Sequence, residues 1–500
     1  MSSFGVQEIT IGEIQEGLAS SQITARSLVA EYLERIEFID WNYFGLRSVI
    51  ETNPDVFTIA HELDREYRQK GPRGVLHGVS ILVKDNIDTG DRMLTTAGSL
   101  ALADSPAPKD AFLVERLRAA GAIILGKSNL SEWANFRSTH SISGWSARGG
   151  QCCNPYVLNR NPGGSSSGSG VAVASSLCVV SVGTETDGSI TSPAAVNGIV
   201  GLKPTVGLIS RSGVIPIAHS QDTAGPMGRT VRDVAILLTV LAGVDSNDPA
   251  TKKDILHSMD FTKFLDPEGL SGARLGVARR FFGSNAEVDR LINQSISIMQ
   301  GCGAEIVDPA DLPSHGRYDD SEAEVLSYEF KSDLNEYLKA RGDSIGVHSL
   351  AEVISFNKKW KDEEMPYFEQ ERMIEAQKKG PLTEQAYLDA LAKSHRLSRD
   401  KGIDAVVKKH HVDAIVAPTR GPAFLTDLVN GDPKSTSCAR PAAVAGYPHI
   451  TVPAGYVRGL PIGISFFGPA WSEPTLLKIA YAYEQATMIR CSPRFLPVIF

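Results

Sequence analysis

Residues 161–205 read NPGGSSSGSGVAVASSLCVVSVGTETDGSITSPAAVNGIVGLKPT and concentrate the side chains that could do chemistry. A Gly/Ser loop opens a small-residue helix, and a β-rich run then leads to Gly188-Ser189. A flexible linker would not continue directly into VAVASSLCVVSVG, which must be buried. A phosphate-binding loop would end in GK[ST], which is missing, and no GxGxxG follows an expected strand. Gly164-Ser165-Ser166-Ser167-Gly168 does match the GxSxG nucleophile elbow, with Ser166 as nucleophile. That elbow needs a hydrophobic strand just before it, whereas Tyr156-Val157-Leu158-Asn159-Arg160-Asn161-Pro162 is too polar and is broken by proline, so the match is accidental. Upstream, Lys84 closes the apolar run Val79-Ser80-Ile81-Leu82-Val83. Taken singly, a lysine followed by Asp85 reads as a strand-end ion pair rather than a base.

A fourth reading accounts for more residues together. With GVSILVKDNIDT upstream and SRSGVIPIAHSQDTAGPM downstream, the region resembles the amidase signature family, over about Ile23 to Ile489. The resemblance is closest to the peptide amidase branch, through SNLSEWANFRS, SGWSARGGQ, GSSSGSGVAVA and GTETDGSI. Several ordered blocks carry it, not one short motif. It implies a Ser-cisSer-Lys triad, with Ser189 as nucleophile, Ser165 as the bridging serine after a cis Gly164–Ser165 bond, and Lys84 as base. The two serines stand 24 residues apart (189 − 165), the loop–helix–strand–loop separation that the family motif implies.

The implied chemistry suits these residue types. A serine hydroxyl attacks poorly unless a neighbouring base takes its proton. Lysine is a base only when neutral, so its pKa must fall from about 10.4 to roughly 7 or 8, worth about 4 kcal/mol and within what burial supplies. The apolar run before Lys84 suggests that burial. Ser165 can relay the proton, because a hydroxyl donates and accepts at once. By the same resemblance the backbone N–H groups of Thr186, Asp187, Gly188 and Ser189 form the oxyanion hole, where preorganised donors contribute about 3–4 kcal/mol each. Two positions depart from the familiar pattern: Asp187 replaces a first glycine, and Thr191 stands where many members have arginine. The missing arginine argues against recognition of an acidic group near the scissile amide.

Other candidates weigh less. Ser166, Ser167 and Ser169 read as loop and helix-start residues, because Val171 to Leu177 looks helical. Trp133, Phe136 and Trp145 stand near the family's substrate-side loop and Asp222 lies in SQDTAGPM, although aromatics there are more often core. His140, His219 and His449 lie in loops without carboxylates at ligand spacing, and His410 and His411 follow two lysines at a helix end. No metal and no cofactor are expected.

The elements that must position these residues form an α/β layering. AFLVERLRAAGAIILG, EVDRLINQSISIMQGCGAEIVD and GIDAVVKKHHVDAIVAP each suggest a helix, a glycine stop and a buried strand. They lie far apart in the chain, which predicts one sheet collecting strands from its whole length. The resemblance implies one domain over 1–500: a single large mixed, twisted β-sheet flanked by helices on both faces. Thr24 to about Ile39 reads as an amphipathic helix capped by Thr24, within a helical region over 1–70. Val75 to Val83 reads as a short strand pair or bend. Between Pro313 and Pro366 there is no proline, only three glycines and many charges, so 315–400 is expected to be a helical excursion beside the substrate cleft.

Bulk properties narrow the partners. With 42% hydrophobic and 22% charged residues in 500, the chain can bury a large core. A net charge of −8 with interspersed signs argues against nucleic acid. The six cysteines, at 152, 153, 178, 302, 438 and 491, lack zinc or redox spacing. The start has neither a basic nor a continuous apolar leader, and no segment reaches 18 uninterrupted apolar residues, so a cytoplasmic protein away from the membrane is expected. The expected partner is a small-molecule or peptide amide substrate, met by the chain alone or as a homodimer. The expected reaction is acyl transfer on primary amides, C-terminal peptide amides among them. Alternatives are aryl or acyl amide hydrolysis by the same mechanism, and a role as the amidase component of a transamidation complex resembling that of the glutamyl-tRNA amidotransferases. A catalytically silent scaffold fits poorly with intact Lys84, Ser165 and Ser189.

Overall fold

The computed structural model describes residues 5–252 and 256–499. Eleven strands form one sheet, in the spatial order Val49–Thr52, Ile123–Ser128, Ser80–Lys84, Val180–Glu185, Thr223–Gly228, Val200–Lys203, His449–Val457, Leu460–Phe467, Ala414–Pro418, Arg274–Val277, Glu305–Val307. The sheet is mixed. Ser80–Lys84 runs parallel to both of its neighbours, Ile123–Ser128 and Val180–Glu185, whereas Val180–Glu185 pairs antiparallel with Thr223–Gly228. All residues of these three parallel strands are buried, as continuous apolar runs covered on both sides should be. Strands from the first and last hundred residues share the sheet, so the chain folds around a single main core.

Local signals explain several elements. Thr24 caps the helix Ala25–Arg35, accepting from Ser27 N–H while Ser27 reciprocates on the cap backbone, and wider turns continue over Ile36–Tyr43. Of the helical region expected over 1–70, residues 1–4 lie outside the described residues. Val75–Val83 holds one strand, not two: a turn with Gly78 at φ 76° leads into Ser80–Lys84. The three helix–stop–strand stretches form Phe112–Ala119 with Ile123–Ser128, Ala286–Gly301 with Glu305–Val307, and Asp404–His410 with Ala414–Pro418. Gly121 and Gly303 stop the first two at φ 83° and 90°, but the third ends on His411 at φ 50°, a left-handed residue that the glycine rule did not anticipate.

The helices Asp319–Ala340, Leu350–Lys359, Glu371–Gln377 and Gln385–Ser398 follow the sheet strand Glu305–Val307 in the chain. Their apolar side chains, among them Leu326, Phe330, Leu334 and Met373, form a second core cluster with Leu130, Trp133, Phe136 and Ile217. This cluster clamps the helices onto loops that leave the carboxyl ends of the central strands. Those loops carry the site.

Candidate active site

Lys84 is the last residue of a central strand, and its side chain is fully buried. Its Nζ lies 2.8 Å from Ser165 Oγ, 2.8 Å from Thr184 Oγ1 and 3.4 Å from the Thr184 carbonyl. Among the described residues no carboxylate forms an ion pair with it. Burial pushes its pKa down from 10.5 to about 7, and the more distant charges of Asp222 and Glu185 offset only part of that effect. Asn86, two residues on, donates to Thr184 Oγ1 at 3.0 Å, so the threonine is held between amine and amide. The run Val79–Val83 thus buries the amine among hydroxyls instead of pairing it with Asp85, whose carboxylate is taken by Thr96, Gly98 and Arg148.

Ser165 is fully buried, and the Gly164–Ser165 peptide bond is cis. Glycine at 164 is demanded by space: an added Cβ would overlap Ser131 Oγ and lie 2.9 Å from Ser143 Oγ. The hydroxyl of Ser166 donates to the Thr184 carbonyl at 3.0 Å and accepts from Thr184 N–H at 3.1 Å, so it clamps the loop to the strand. Its backbone N–H donates to the Ser189 carbonyl at 3.0 Å, tying the Gly/Ser loop to the turn that carries Ser189. Ser167 bonds the Gly163 carbonyl, and Ser169 meets Ser128 at 2.7 Å.

Ser189 is 7% exposed and lines a cavity of about 320 Å³ together with Gly164, Thr186, Asp187, Phe136 and Ile217. Between the strand end at Glu185 and Ser189 the chain turns through Gly188 at φ 81°. Among the described residues no protein acceptor takes the N–H of Thr186, Asp187, Gly188 or Ser189, whereas the next two, Ile190 and Thr191, donate to Glu185 Oε2 at 2.7 and 2.9 Å. Four unspent donors in a tight turn beside an open cavity make an anion-receptive surface. Thr186 is fixed from its side chain, donating to Asp222 Oδ1 at 2.5 Å, and Asp222 also accepts from Ile217 N–H at 2.7 Å and Ala218 N–H at 2.8 Å. Burial lifts the Asp222 pKa to about 6.

The departures at 187 and 191 acquire a physical role. Thr191 is fully buried, and its hydroxyl reaches Glu185 at 3.3 Å. Asp187 pairs with Arg440, Nε to Oδ2 3.0 Å. The cavity wall holds two guanidinium groups, Arg440 and Arg372, so the absence of arginine at 191 does not leave it without cations. Asp319 and Glu322, from the start of the helix Asp319–Ala340, complete that wall. Burial, then the charge of Asp187, raises the Glu322 pKa to about 8.

Of the aromatic candidates, Phe136 reaches the cavity, packed at 4.8 Å against Phe330, with the Arg372 guanidinium 5.5 Å above its ring. Trp133 is core, and Trp145 packs on Phe368 and the Arg137 guanidinium, each at 5.2 Å. His449 is buried against Ser465 at 2.6 Å, and His140 is exposed beside Glu371. His219 meets Asp333 at 2.8 Å and Glu329 at 3.4 Å, carboxylates that spacing did not reveal because they lie more than a hundred residues downstream. The three could hold a metal ion geometrically, yet Tyr387 and Ser220 already bond Glu329. Thr184 and Glu185 sat inside the quoted block GTETDGSI unremarked, and Asn86 inside GVSILVKDNIDT. Nothing in local spacing pointed to Arg440, Arg372 or Glu322.

A family model described as Amidase matches residues 27–477. The fold and this buried Lys–Ser cluster are those of an amidase, and the chain belongs to the amidase family as an amide-hydrolysing enzyme. A solved structure of native peptide amidase from Stenotrophomonas maltophilia superposes with a TM-score of 0.92 at 47% identity, covering 97% of this chain and 98% of the other. A probable amidase of Arabidopsis thaliana is 43% identical over 99% of this chain and 93% of its own length. The amidase component of a glutamyl-tRNA(Gln) amidotransferase of Thermoanaerobacter pseudethanolicus is 32% identical over 97% and 98%.

Proposed function

We propose that the chain hydrolyses carboxamides through an acyl-enzyme on Ser189, with Lys84 as the base and Ser165 as the relay. The observation that carries this reading is an amine buried without an ion-pair partner among the described residues, 2.8 Å from Ser165 Oγ and with its pKa lowered to about 7. At neutral pH much of Lys84 is then free to accept a proton. Ser189 Oγ bonds to the amide carbon as its proton passes to Ser165 and the Ser165 proton to Lys84. The carbonyl oxygen becomes an oxyanion that receives N–H groups from the Thr186–Ser189 turn. Collapse breaks the C–N bond, and the proton returns through Ser165 to the departing nitrogen, releasing ammonia or amine. Water repeats the relay on the ester and frees the acid.

The substrate class we favour is primary amides, C-terminal peptide amides in particular. The 47% identity to a peptide amidase over nearly the full length supports this, and the aromatic and charged walls of the cavity suit a peptide better than a bare alkyl chain. Identity of 32% to an amidotransferase component favours a second reading, an amidase that feeds ammonia to partner chains.

Ammonia release across peptide amides, aryl amides and glutamine separates the two. Turnover of peptide amides by the isolated chain, lost in Ser189→Ala and Lys84→Ala, is the expected result. Glutaminase activity that needs a co-purifying protein would favour the second reading, and wild-type turnover by Ser189→Ala would remove Ser189 from the nucleophile position.

A further inference from the structure

Arg440 opens the helix Arg440–Ala445, far in sequence from the loop that carries Ser189. Its Nε stands 3.0 Å from Asp187 Oδ2 and 3.0 Å from Glu322 Oε2, and its Nη1 3.2 Å from Asp319 Oδ2. A lone, half-exposed ion pair contributes little. Here one guanidinium gathers three carboxylates, two from the helix Asp319–Ala340 and one from the turn, and without it these would repel one another.

The turn has three side-chain anchors. Asp222 holds its start through Thr186 Oγ1 at 2.5 Å. Glu185 holds its end through the N–H groups of Ile190 and Thr191 at 2.7 and 2.9 Å. Arg440 holds its middle, through the only side-chain hydrogen bond Asp187 makes among the described residues. The unspent N–H groups of Asp187 and Gly188 flank that point.

We infer that Arg440 is a positioning residue for catalysis: by pulling on the Asp187 carboxylate from the helical wall, it aims the N–H groups of the turn at the carbonyl oxygen of the bound amide. The inference rests on the role proposed above for this turn. Arg440 acts through Asp187 and not by binding substrate, so its removal weakens transition-state stabilisation more than substrate binding. It also couples the turn to the helix Asp319–Ala340.

The test uses the full chain with Arg440→Met, Arg440→Lys, Asp187→Asn and the Met/Asn double variant. Each is assayed for kcat and KM on a dipeptide amide and for inhibition by a dipeptide aldehyde, which forms a hemiacetal with Ser189 and sets its oxygen against the turn. Arg440→Met is expected to lower kcat about 10- to 100-fold, within the range for a misplaced oxyanion donor. KM should change less than about threefold, and aldehyde inhibition should weaken by the same factor as kcat. Asp187→Asn should lose a similar factor, the double variant no more than the worse single, and Arg440→Lys should recover part of kcat. Unchanged kcat, a rise in KM alone, or additive losses in the double variant would overturn the inference. If Arg440→Met does not fold, the near-isosteric Asp187→Asn and Arg440→Lys decide by the same kcat, KM and aldehyde readings. Ser189→Ala run alongside separates the two levels: its full activity would remove the acyl-enzyme reading, whereas a dead Ser189→Ala beside a wild-type Arg440→Met removes only the positioning role.

Discussion

Replacing Lys84 by methionine should change how stability depends on pH, in a direction the burial of the amine dictates. In the unfolded chain the amine titrates near its ordinary 10.5, and in the folded protein near 7. Below about pH 7 both states are protonated and the folded protein carries the full desolvation penalty. That penalty is about 5 kcal/mol, at roughly 1.4 kcal/mol per tenfold in the proton equilibrium. Between the two values the unfolded state binds more protons than the folded one, so stability rises with pH across the window from about 7 to 10.5. Integrated from about pH 6 to pH 9, the amine should add about 3 kcal/mol to wild type and nothing to Lys84→Met. For 500 residues the entropy of unfolding is about 1 kcal/mol per kelvin, so the wild-type melting temperature should gain about 3 °C on the variant over that interval. Calorimetric melts of both proteins in matched buffers measure the difference, and other titrating groups cancel in it. Parallel melting curves at all pH values would mean that the amine titrates alike in both states, and the base assigned to Lys84 would lose its physical ground.

Three further outcomes follow from the same geometry. The rate on a neutral amide should rise with pH through an apparent pKa near 7, as Lys84 loses its proton, so a plateau extending to about pH 5 would contradict a lysine base. Thr186→Val deletes the donor to Asp222 and should lower kcat about tenfold while destabilising the fold by about 1–2 kcal/mol; stopped assays and denaturant melts check both. Gly168→Ala would drive a Cβ into the Ser48 carbonyl and lie 2.5 Å from Asn129 N, backbone atoms that cannot swing aside, and should destabilise by at least about 3 kcal/mol or prevent soluble expression.

Much of the site was legible in the chain because its signals are local. Lys84 follows five residues of buried strand and turn, and a strand end in a parallel sheet buries whatever side chain it carries. The blocks around Ser165 and Ser189 are contiguous, so spacing alone could align them with a family pattern. Helix ends were readable for the same reason: Thr24 caps, and Gly121 and Gly303 stop, through contacts within a turn of themselves. His411 shows where that rule thins out, since a left-handed stop need not be a glycine.

Other features depended on which strands became neighbours, and no local pattern encodes sheet order. Ser80–Lys84 pairs with a strand a hundred residues later, and that pairing carries Thr184 to the Lys84 amine. Phe136 reaches the cavity and Trp145 does not, although both are aromatic and close in sequence, because Phe368 packs over Trp145 whereas Leu326 and Arg372 leave Phe136 at the cavity's edge. Arg440, Asp319 and Glu322 meet Asp187 only once the last third of the chain has folded back over the turn. Periodicity, caps and short motifs act over a few residues and belong to the sequence, whereas a charge network assembled from three distant segments exists only in the folded molecule.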